Sequence, residues 1–170
     1  MLKTSIGGTL PKEKIVLSAL AHLNSKETDL KVLEIGCCTG GNLKFFSKYF
    51  KNLYGIEPNE KAIEYAKKKT HGHIDIRQGE LPYKVPFDKN EFDKVFMLDV
   101  LEHIEDDKSS LKKIHEIIRP DGSLILTVPA FQKLWSKNDV INYHKRRYHL
   151  SELKEMVIDS GFKEVNYCTY

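Results

Sequence analysis

The stretch Leu30-Lys-Val-Leu-Glu-Ile-Gly-Cys-Cys-Thr-Gly-Gly41 decides the fold, because a short apolar run passes directly into a glycine-rich turn. Residues 30–35 have the length and apolar content of a buried strand. The turn follows at residues 36–41, and apolar side chains then recur at helical spacing over residues 43–50. The pattern predicts a strand, a glycine turn and a helix in succession.

The alternation of strand and helix continues toward the C-terminus. Apolar runs predict further strands at residues 52–57, 73–77, 93–98 and 123–128, with helices that are apolar on one face between them. Strands that alternate with helices in this way form parallel sheets covered on both faces. We therefore predict an α/β fold with a doubly wound, mostly parallel sheet.

Four segments lie outside this alternation of strands and helices. Residues 12–23 carry apolar side chains at helical spacing, whereas residues 130–149 show no period and are expected to be irregular. Ser151 is predicted to cap a helix whose inward face includes Ile158. Residues 162–169 favour a last strand.

The composition is that of one ordinary globular domain. The chain has 170 residues, of which 41% are hydrophobic and 30% charged, and its net charge is +3. So small a charge does not indicate a nucleic-acid partner. No apolar run approaches the roughly 20 residues of a transmembrane helix. The three cysteines, two of them adjacent, do not suggest a disulfide framework, so we expect a soluble, cytoplasmic protein.

A ligand site is predicted at the glycine turn, because doubly wound sheets bind ligands at the carboxyl ends of their strands. Glu57 closes the second strand 21 residues after Gly36, a position from which a carboxylate accepts hydrogen bonds from both hydroxyls of a ribose. Together these features indicate a cofactor of the adenosine type. The alternative is a plain strand-to-helix turn followed by a solvated acid.

The sequence of the turn also excludes some classes of nucleotide cofactor site. No Gly-Lys-Ser/Thr sequence ends it, which excludes a P-loop. The dinucleotide fingerprint requires glycine where Cys38 stands, and the negative charge of Glu34 suits a cationic ligand better than a pyrophosphate.

The chain resembles the class I S-adenosylmethionine-dependent methyltransferases over about residues 30–168. One matching stretch would be weak support, but several occur in the order typical of that family. The resemblance implies a Rossmann-like methyltransferase fold and S-adenosylmethionine as the cofactor. The matching stretches are Val32-Leu-Glu-Ile-Gly-Cys-Cys-Thr-Gly40, Gly55-Ile-Glu-Pro58, Gln78-Gly-Glu-Leu81, Phe92-Asp-Lys-Val95, Leu98-Asp-Val-Leu-Glu-His-Ile104 and Ile118-Arg-Pro-Asp-Gly-Ser-Leu124.

The resemblance assigns the glycine turn to the methionine part of the cofactor. It implies that Glu34, Gly36 and Gly40 shape the loop beneath that part. Cys38 departs from the family, which usually has glycine there. If this position needs a positive φ, the cysteine costs of the order of 1 kcal/mol and its side chain crowds the cofactor.

The resemblance also implies which residues bind the adenosine part of the cofactor and which lie near its sulfonium. It implies that Glu57 holds the ribose and that Glu80 and Leu81 lie at the adenine edge. Asp99, at the end of the fourth predicted strand, is expected to approach the sulfonium and the amino group.

Histidines are the candidates for removing a proton from the methyl acceptor. His103 comes first, because it follows the fourth predicted strand and has an ordinary pKa of about 6.5. A helix-terminal histidine bonded to backbone is the equally weighted alternative, because Glu102 and Glu105 also make His103 a simple member of a surface pair. His144 and Tyr143 are the next candidates, because acceptor-binding residues in the family often lie after the fifth strand.

The segment Tyr143-His-Lys-Arg-Arg-Tyr148 is the one dense basic patch in the sequence. Arginine with tyrosine suits phosphate, carboxylate or sugar ligands, and the segment resembles one in methyltransferases of cell-envelope glycans and lipid-linked intermediates. The alternative is a solvated loop anchored by its aromatic residues. No metal site is predicted, because His71-Gly-His73 indicates a turn and Asp106-Asp107 the first turn of a helix.

We therefore predict an S-adenosylmethionine-dependent methyltransferase that acts on an oxygen of a small molecule or of a glycan- or lipid-linked acceptor. The alternative is a non-catalytic module of the same fold that binds the cofactor or a partner protein. A dehydrogenase is third.

The end of the sequence leads to a prediction about the sheet. The family fold usually has seven strands with the last antiparallel, but one candidate strand follows the helix at 151–160. We therefore expect residues 1–170 to be a single methyltransferase domain, C-terminally truncated and lacking the final antiparallel strand. The edge at the fifth predicted strand should be uncovered or pair out of the usual order, which favours a homodimer.

Overall fold

Strands and helices alternate along the chain, as the sequence predicts. The computed structural model describes residues 2–4 and 29–169, so the predicted helix at 12–23 lies outside the described residues. Single turns of 3-10 helix lie at Leu101–His103 and Gln132–Leu134. The strands are β1 (Leu2–Thr4), β2 (Lys31–Ile35), β3 (Asn52–Glu57), β4 (Asp75–Gln78), β5 (Phe92–Leu98), β6 (Ile118–Thr127) and β7 (Tyr167–Thr169). The α-helices are α1 (Gly41–Phe46), α2 (Glu60–Lys69), α3 (Asp107–Ile117), α4 (Lys137–Ile141) and α5 (Leu150–Asp159).

The strands form one sheet in the order β4-β3-β2-β5-β6-β1-β7. Every pairing between these strands is parallel, so the predicted fold class is confirmed, and no antiparallel strand occurs among the described residues. β2 pairs with both β3 and β5, which places it where the strand order reverses. The carboxyl ends of β2, β3 and β5 therefore meet at the edge where such sheets bind ligands.

The core lies on both faces of the sheet. Successive side chains of β5 point to opposite faces, so Met97 packs among the residues of α3 and α5, whereas Phe96 packs among those of α1 and α2. The rings of Phe46 and Phe96 lie 4.6 Å apart. Both faces are thus covered by helices, which explains why β5 is an almost continuous apolar run.

The fifth predicted strand is longer than expected. β6 begins at Ile118, which pairs with Phe92, and the next paired residue is Ser123 opposite Lys94. Residues 119–122 therefore form a bulge opposite Asp93, whose carboxylate pairs with Arg119. The sequence prediction began this strand at residue 123, and the structure extends it back through the bulge to Ile118.

The segment after β6 is more ordered than predicted. Residues 130–149, expected to be irregular, contain a 3-10 turn and α4. The predicted cap at Ser151 is wrong, because α5 begins at Leu150 and its N-cap residue is His149. Ile158 is also not inward, since 55% of it is exposed while its neighbour Val157 is buried. Adjacent helical residues point about 100° apart, and on α5 the inward direction is taken by Val157.

The sheet edges differ from the prediction. β6 is not left uncovered and does not pair with the last strand, because β1 pairs with β6 and β7 with β1. The last predicted strand is confined to residues 167–169, and residues 162–166 form no strand. In the part of the chain that the structure describes, none of the helices has the length and apolarity to cross a bilayer.

Candidate active site

The glycine turn joins β2 to α1 and has three residues in the left-handed backbone region. Gly36 and Gly40 have φ values of 67° and 75°, and a Cβ at Gly36 would lie 2.6 Å from a methyl group of Val100. Cys38 has φ of 47°, and its side chain is exposed. The positive φ considered for Cys38 is therefore present, at a cost of about 1 kcal/mol for a residue with a Cβ.

Glu57 ends β3 beside this turn and is largely buried. Its Oε2 accepts a hydrogen bond from the backbone N–H of Cys38 at 3.0 Å, and its Oε1 accepts one from the N–H of Asn59 at 3.1 Å. Each carboxylate oxygen accepts more than one hydrogen bond. The carboxylate is thus fixed in place and retains capacity for two further donors.

Glu34 lies in β2 with 1% of its surface exposed. Its Oε1 accepts a hydrogen bond of 2.7 Å from Nδ2 of Asn42, a partner that the sequence analysis did not identify. Burial raises the pKa of the Cys37 thiol far above its ordinary value, and the charges of Glu34 and Glu57 raise it further. The turn therefore lies in a negative electrostatic field, which favours a cationic ligand.

Asp99 follows β5 and is fastened to β6 through Thr127. The N–H of Asp99 donates to the carbonyl oxygen of Thr127 at 3.1 Å and to its Oγ1 at 3.0 Å. The Thr127 hydroxyl donates to Oδ1 of Asp99 at 2.8 Å. Asp99 is therefore held at the same sheet edge as Glu57, with φ of 55°.

Glu80 and Leu81 follow β4 at that edge. The N–H of Gly79 donates to the carbonyl oxygen of Glu57 at 3.1 Å, which brings the segment against the end of β3. Glu80 is exposed and its backbone pairs with that of Lys84, while Leu81 is half-buried against the core.

His103 and His144 meet although they lie 41 positions apart in the chain. Their rings pack edge to face with centroids 4.8 Å apart. The pKa of His103 is lowered by partial burial and then by His144, while a backbone hydrogen bond with Tyr143 and the charge of Asp99 oppose that shift. Tyr143 itself is 84% exposed.

Asp139 in α4 is a site residue that the sequence analysis missed. Its Oδ1 lies 3.0 Å from Nδ1 of His144 and accepts from Nε of Arg147 at 2.7 Å, while its Oδ2 accepts from the backbone and the hydroxyl of Ser136. The Arg147 guanidinium holds the pKa of this carboxyl well below its usual range, helped by Ser136 and His144 against the effect of burial. The Ser136-x-x-Asp139 capping box was the sequence signal available.

The structure contradicts the interpretation of Glu102 as part of a surface pair. Its side chain is fully buried, and its Oε1 lies 4.0 Å from Nε2 of His144. Glu105, the other predicted member of that pair, is exposed and bonds Lys145. The sequence around Glu102 does not indicate its burial, because the loop that lies against it comes from residues 143–148.

The basic patch is largely engaged within the chain. Arg146 bonds Oδ2 of Asp107 at 2.8 Å, and Arg147 bonds Asp139. Tyr148 is buried and its hydroxyl donates to Oδ2 of Asp107 at 3.0 Å. These contacts anchor the segment against the turn that carries Glu102 and His103.

Known proteins resemble this chain in both sequence and fold. A relative from Mycolicibacterium smegmatis, named a probable S-adenosylmethionine-dependent methyltransferase, is 24% identical over 154 residues, which are 89% of this chain and 58% of that protein. The chain thus spans less than two thirds of the relative's length.

Two solved structures share the fold. The YcgJ protein of Bacillus subtilis superposes with a TM-score of 0.74 at 20% identity, covering 88% of this chain and 68% of that one. Phosphoethanolamine N-methyltransferase 2 of Haemonchus contortus, solved in complex with S-adenosyl-L-methionine, gives a TM-score of 0.73 at 18% identity, covering 88% of this chain and 36% of that one.

The methyltransferase domain family matches residues 33–126 of this chain. The matched range runs from β2 to β6 and contains the glycine turn, Glu57 and Asp99. The agreement of motifs, sheet order and domain match leads to one conclusion: the chain belongs to the class I S-adenosylmethionine-dependent methyltransferase family.

Proposed function

We propose that this protein transfers a methyl group from S-adenosylmethionine to an oxygen atom of a small molecule or of a glycan- or lipid-linked acceptor. The observation that carries the proposal is the position of Glu57, which two backbone N–H groups fix beside the glycine turn. Family membership and the name of the Mycolicibacterium relative support the methyl-transfer part.

The residues at the turn fit the cofactor chemically. Glu57 has acceptor capacity for two ribose hydroxyls, and the negative field of Glu34 and Glu57 suits a ligand with a sulfonium and an ammonium group. Asp99, fastened by Thr127, adds a carboxylate at the same edge. We assign Gly36, Cys38 and Gly40 to the loop under the methionine part, and Glu80 and Leu81 to the adenine edge.

When bound, S-adenosylmethionine supplies a methyl group on a positively charged sulfur, which a nucleophile attacks in line. The chain contributes position and alignment, which are the main requirements of such a displacement. An oxygen nucleophile must also lose its proton. His103 follows Asp99 by four residues beyond the end of β5 and packs against His144, so we place the acceptor hydroxyl beside this histidine pair. Tyr143 remains a proposed acceptor contact.

Titration calorimetry with S-adenosylmethionine and with its demethylated product tests the cofactor assignment. We expect heat and thermal stabilisation with both, and neither with NAD. Absence of both effects would remove the enzyme proposal. A mass-spectrometric screen of hydroxyl, amine and carbon acceptors then tests the acceptor atom, because a gain of one methyl group on amines alone would contradict the oxygen assignment.

A second candidate is a non-catalytic module that keeps the fold and binds the cofactor or a partner protein. It is favoured by Cys38, whose side chain stands at the turn in a conformation that glycine usually fills. Cofactor binding without turnover on any acceptor in the screen would support this candidate.

The chain as a whole is proposed to be one methyltransferase domain that forms a homodimer. The proposal rests on the outer strands β4 and β7, each of which pairs with one neighbour among the described residues and so offers an edge for a second chain. Light scattering coupled to gel filtration measures the molar mass directly, and a monomer at all concentrations would contradict it.

A further inference from the structure

Three metal-ligating side chains converge next to the cofactor edge. Glu102, His103 and His144 each offer one ligand atom, and these atoms all lie within 4.8 Å of one another. The first two come from the 3-10 turn that follows β5, and the third comes from the loop after α4. Two imidazoles and one carboxylate form a ligand set typical of divalent first-row transition metals.

The orientation of His144 is fixed by its neighbours. Nδ1 faces the Asp139 carboxylate at 3.0 Å, and the same carboxylate accepts hydrogen bonds from Arg147 and Ser136. In this orientation Nδ1 is positioned to donate to Asp139, and Nε2 is the ring nitrogen that can offer a lone pair to a metal. A carboxylate that orients a ligating histidine in this way is the usual outer-shell arrangement of protein metal sites.

Nε2 of His144 faces the carboxylate of Glu102 at a distance that suits a cation bound between them. Nε2 lies 4.0 Å from Oε1 of Glu102, too far for a hydrogen bond. Bonds of about 2.1 Å from one zinc ion place two tetrahedral ligands roughly 3.4 Å apart. Closing a separation of 4.8 Å to that spacing requires a shift of about 1.4 Å, which the exposed His103 can supply by rotation of its side chain.

We propose that Glu102, His103 and His144 bind one divalent first-row transition cation such as Zn²⁺, with Asp139 as the positioning residue for His144. Three protein ligands leave coordination positions for an oxygen ligand on the exposed His103 side. The site itself does not depend on methyl transfer. Its role rests on the proposed function: with the metal bound, the ring nitrogens of His103 and His144 serve as ligands and not as the base, the metal binds the acceptor oxygen and lowers the pKa of its hydroxyl, and the released proton passes to solvent.

The test is metal binding by the full chain after treatment with a chelator. Zn²⁺ is titrated by calorimetry, and Co²⁺ is followed by its visible absorption, which reports coordination by protein groups. We expect one equivalent per chain. His144→Ala and Glu102→Gln should each weaken binding at least tenfold, and His73→Ala, an exposed histidine in a distant turn, should leave it unchanged.

Controls separate binding from folding. His103→Ala changes an exposed side chain, so it should keep the unfolding temperature and still lose at least tenfold in affinity. Asp139→Asn should weaken binding by roughly 10- to 100-fold, the range for outer-shell partners. No stoichiometric binding by the parent, or equal binding by the parent, His103→Ala and His144→Ala, would overturn the site.

The same samples distinguish the two proposals. Binding of S-adenosylmethionine is measured with and without Zn²⁺. Cofactor binding without any metal binding would leave the proposed function standing and remove the metal site. Metal binding without cofactor binding would establish the site and remove the methyl-transfer proposal.

Discussion

At the scale of single residues, Glu57 connects the fold to the candidate site. Its carboxylate caps the backbone of the turn through Cys38 and of the loop before α2 through Asn59. The same oxygens are the proposed acceptors for the ribose. A residue in this position affects both the shape of the turn and the affinity for the ligand.

Replacement of Glu57 by alanine is expected to abolish measurable cofactor binding. Each charge-assisted hydrogen bond is worth about 1.5 to 3 kcal/mol, so two lost bonds correspond to at least a hundredfold in affinity. Calorimetric titration with S-adenosylmethionine provides the measurement. Glu60→Ala, an exposed acid three residues later, serves as the control, and equal affinity in both variants would take Glu57 out of the site.

Replacement of Cys38 by glycine should keep or improve cofactor affinity. Glycine adopts φ of 47° without strain, and the backbone N–H that bonds Glu57 is retained. The measurement is the dissociation constant of S-adenosylmethionine for the parent protein and for the glycine variant. A markedly weaker complex of the glycine variant would show that the cysteine side chain contacts the ligand.

The two adjacent cysteines should differ sharply toward thiol reagents. The thiolate is the reactive form, and burial together with Glu34 and Glu57 raises the pKa of the Cys37 thiol, so it stays protonated at pH 8. Cys38 is exposed. Peptide mapping after iodoacetamide treatment should find Cys38 labelled and Cys37 unlabelled until the protein is unfolded, and rapid labelling of both would contradict this structure of the turn.

At the scale of elements, one carboxylate organises the segment between β6 and α5. Asp139 closes the capping box of α4 with Ser136 and bonds His144 and Arg147. The short α4 has too few residues to be stable alone. Its position therefore depends on this network.

Asp139→Ala is expected to lower the free energy of unfolding by roughly 3 kcal/mol. The estimate is at the lower end for breaking a buried ion pair, because Arg147 keeps some contact with solvent. Urea unfolding followed by circular dichroism measures the change. Glu105→Ala, which removes an exposed carboxylate paired with Lys145, should leave the free energy of unfolding nearly unchanged, and equal losses in the two variants would show that the buried network adds nothing.

At the scale of the whole molecule, the central sheet is stabilised from both faces. Phe96 is fully buried at the face covered by α1 and α2, and its ring contacts Phe46 and Phe50. Removal of an aromatic side chain at such a point leaves a cavity between sheet and helix.

Phe96→Ala should therefore cost about 3 to 5 kcal/mol of stability. Tyr65→Ala removes a ring that is 62% exposed on α2 and should stay within about 0.5 kcal/mol of the parent. Thermal and urea unfolding of both variants provide the comparison. A small effect at Phe96 would mean that the helices on this face contribute little to the packing of the sheet.

The sequence by itself determined the alternation of elements and the place of the turn. The predicted strand at 52–57 coincides with β3, and the strand at 30–35 differs from β2 by one residue. The positions of Gly36, Glu57 and Asp99 at or just after the ends of strands were also predicted from the sequence, and the structure has them there, while their roles toward the cofactor stay predictions. These features depend on short stretches of sequence, because hydrophobic periodicity and the backbone preferences of glycine and proline act within a few residues.

Only the tertiary structure decided what surrounds the histidines. Glu102 was interpreted as a surface acid, and it is buried where the loop 143–148 lies against it, since the N–H of Lys145 donates to its carbonyl oxygen and His144 faces its carboxylate. The bonds between Asp107 and Arg146 likewise join positions 39 apart. Such contacts depend on which strands neighbour each other and on how the loop after β6 returns across the sheet edge. No local window contains that information, because the packing energy that selects it is shared among residues distant in the chain.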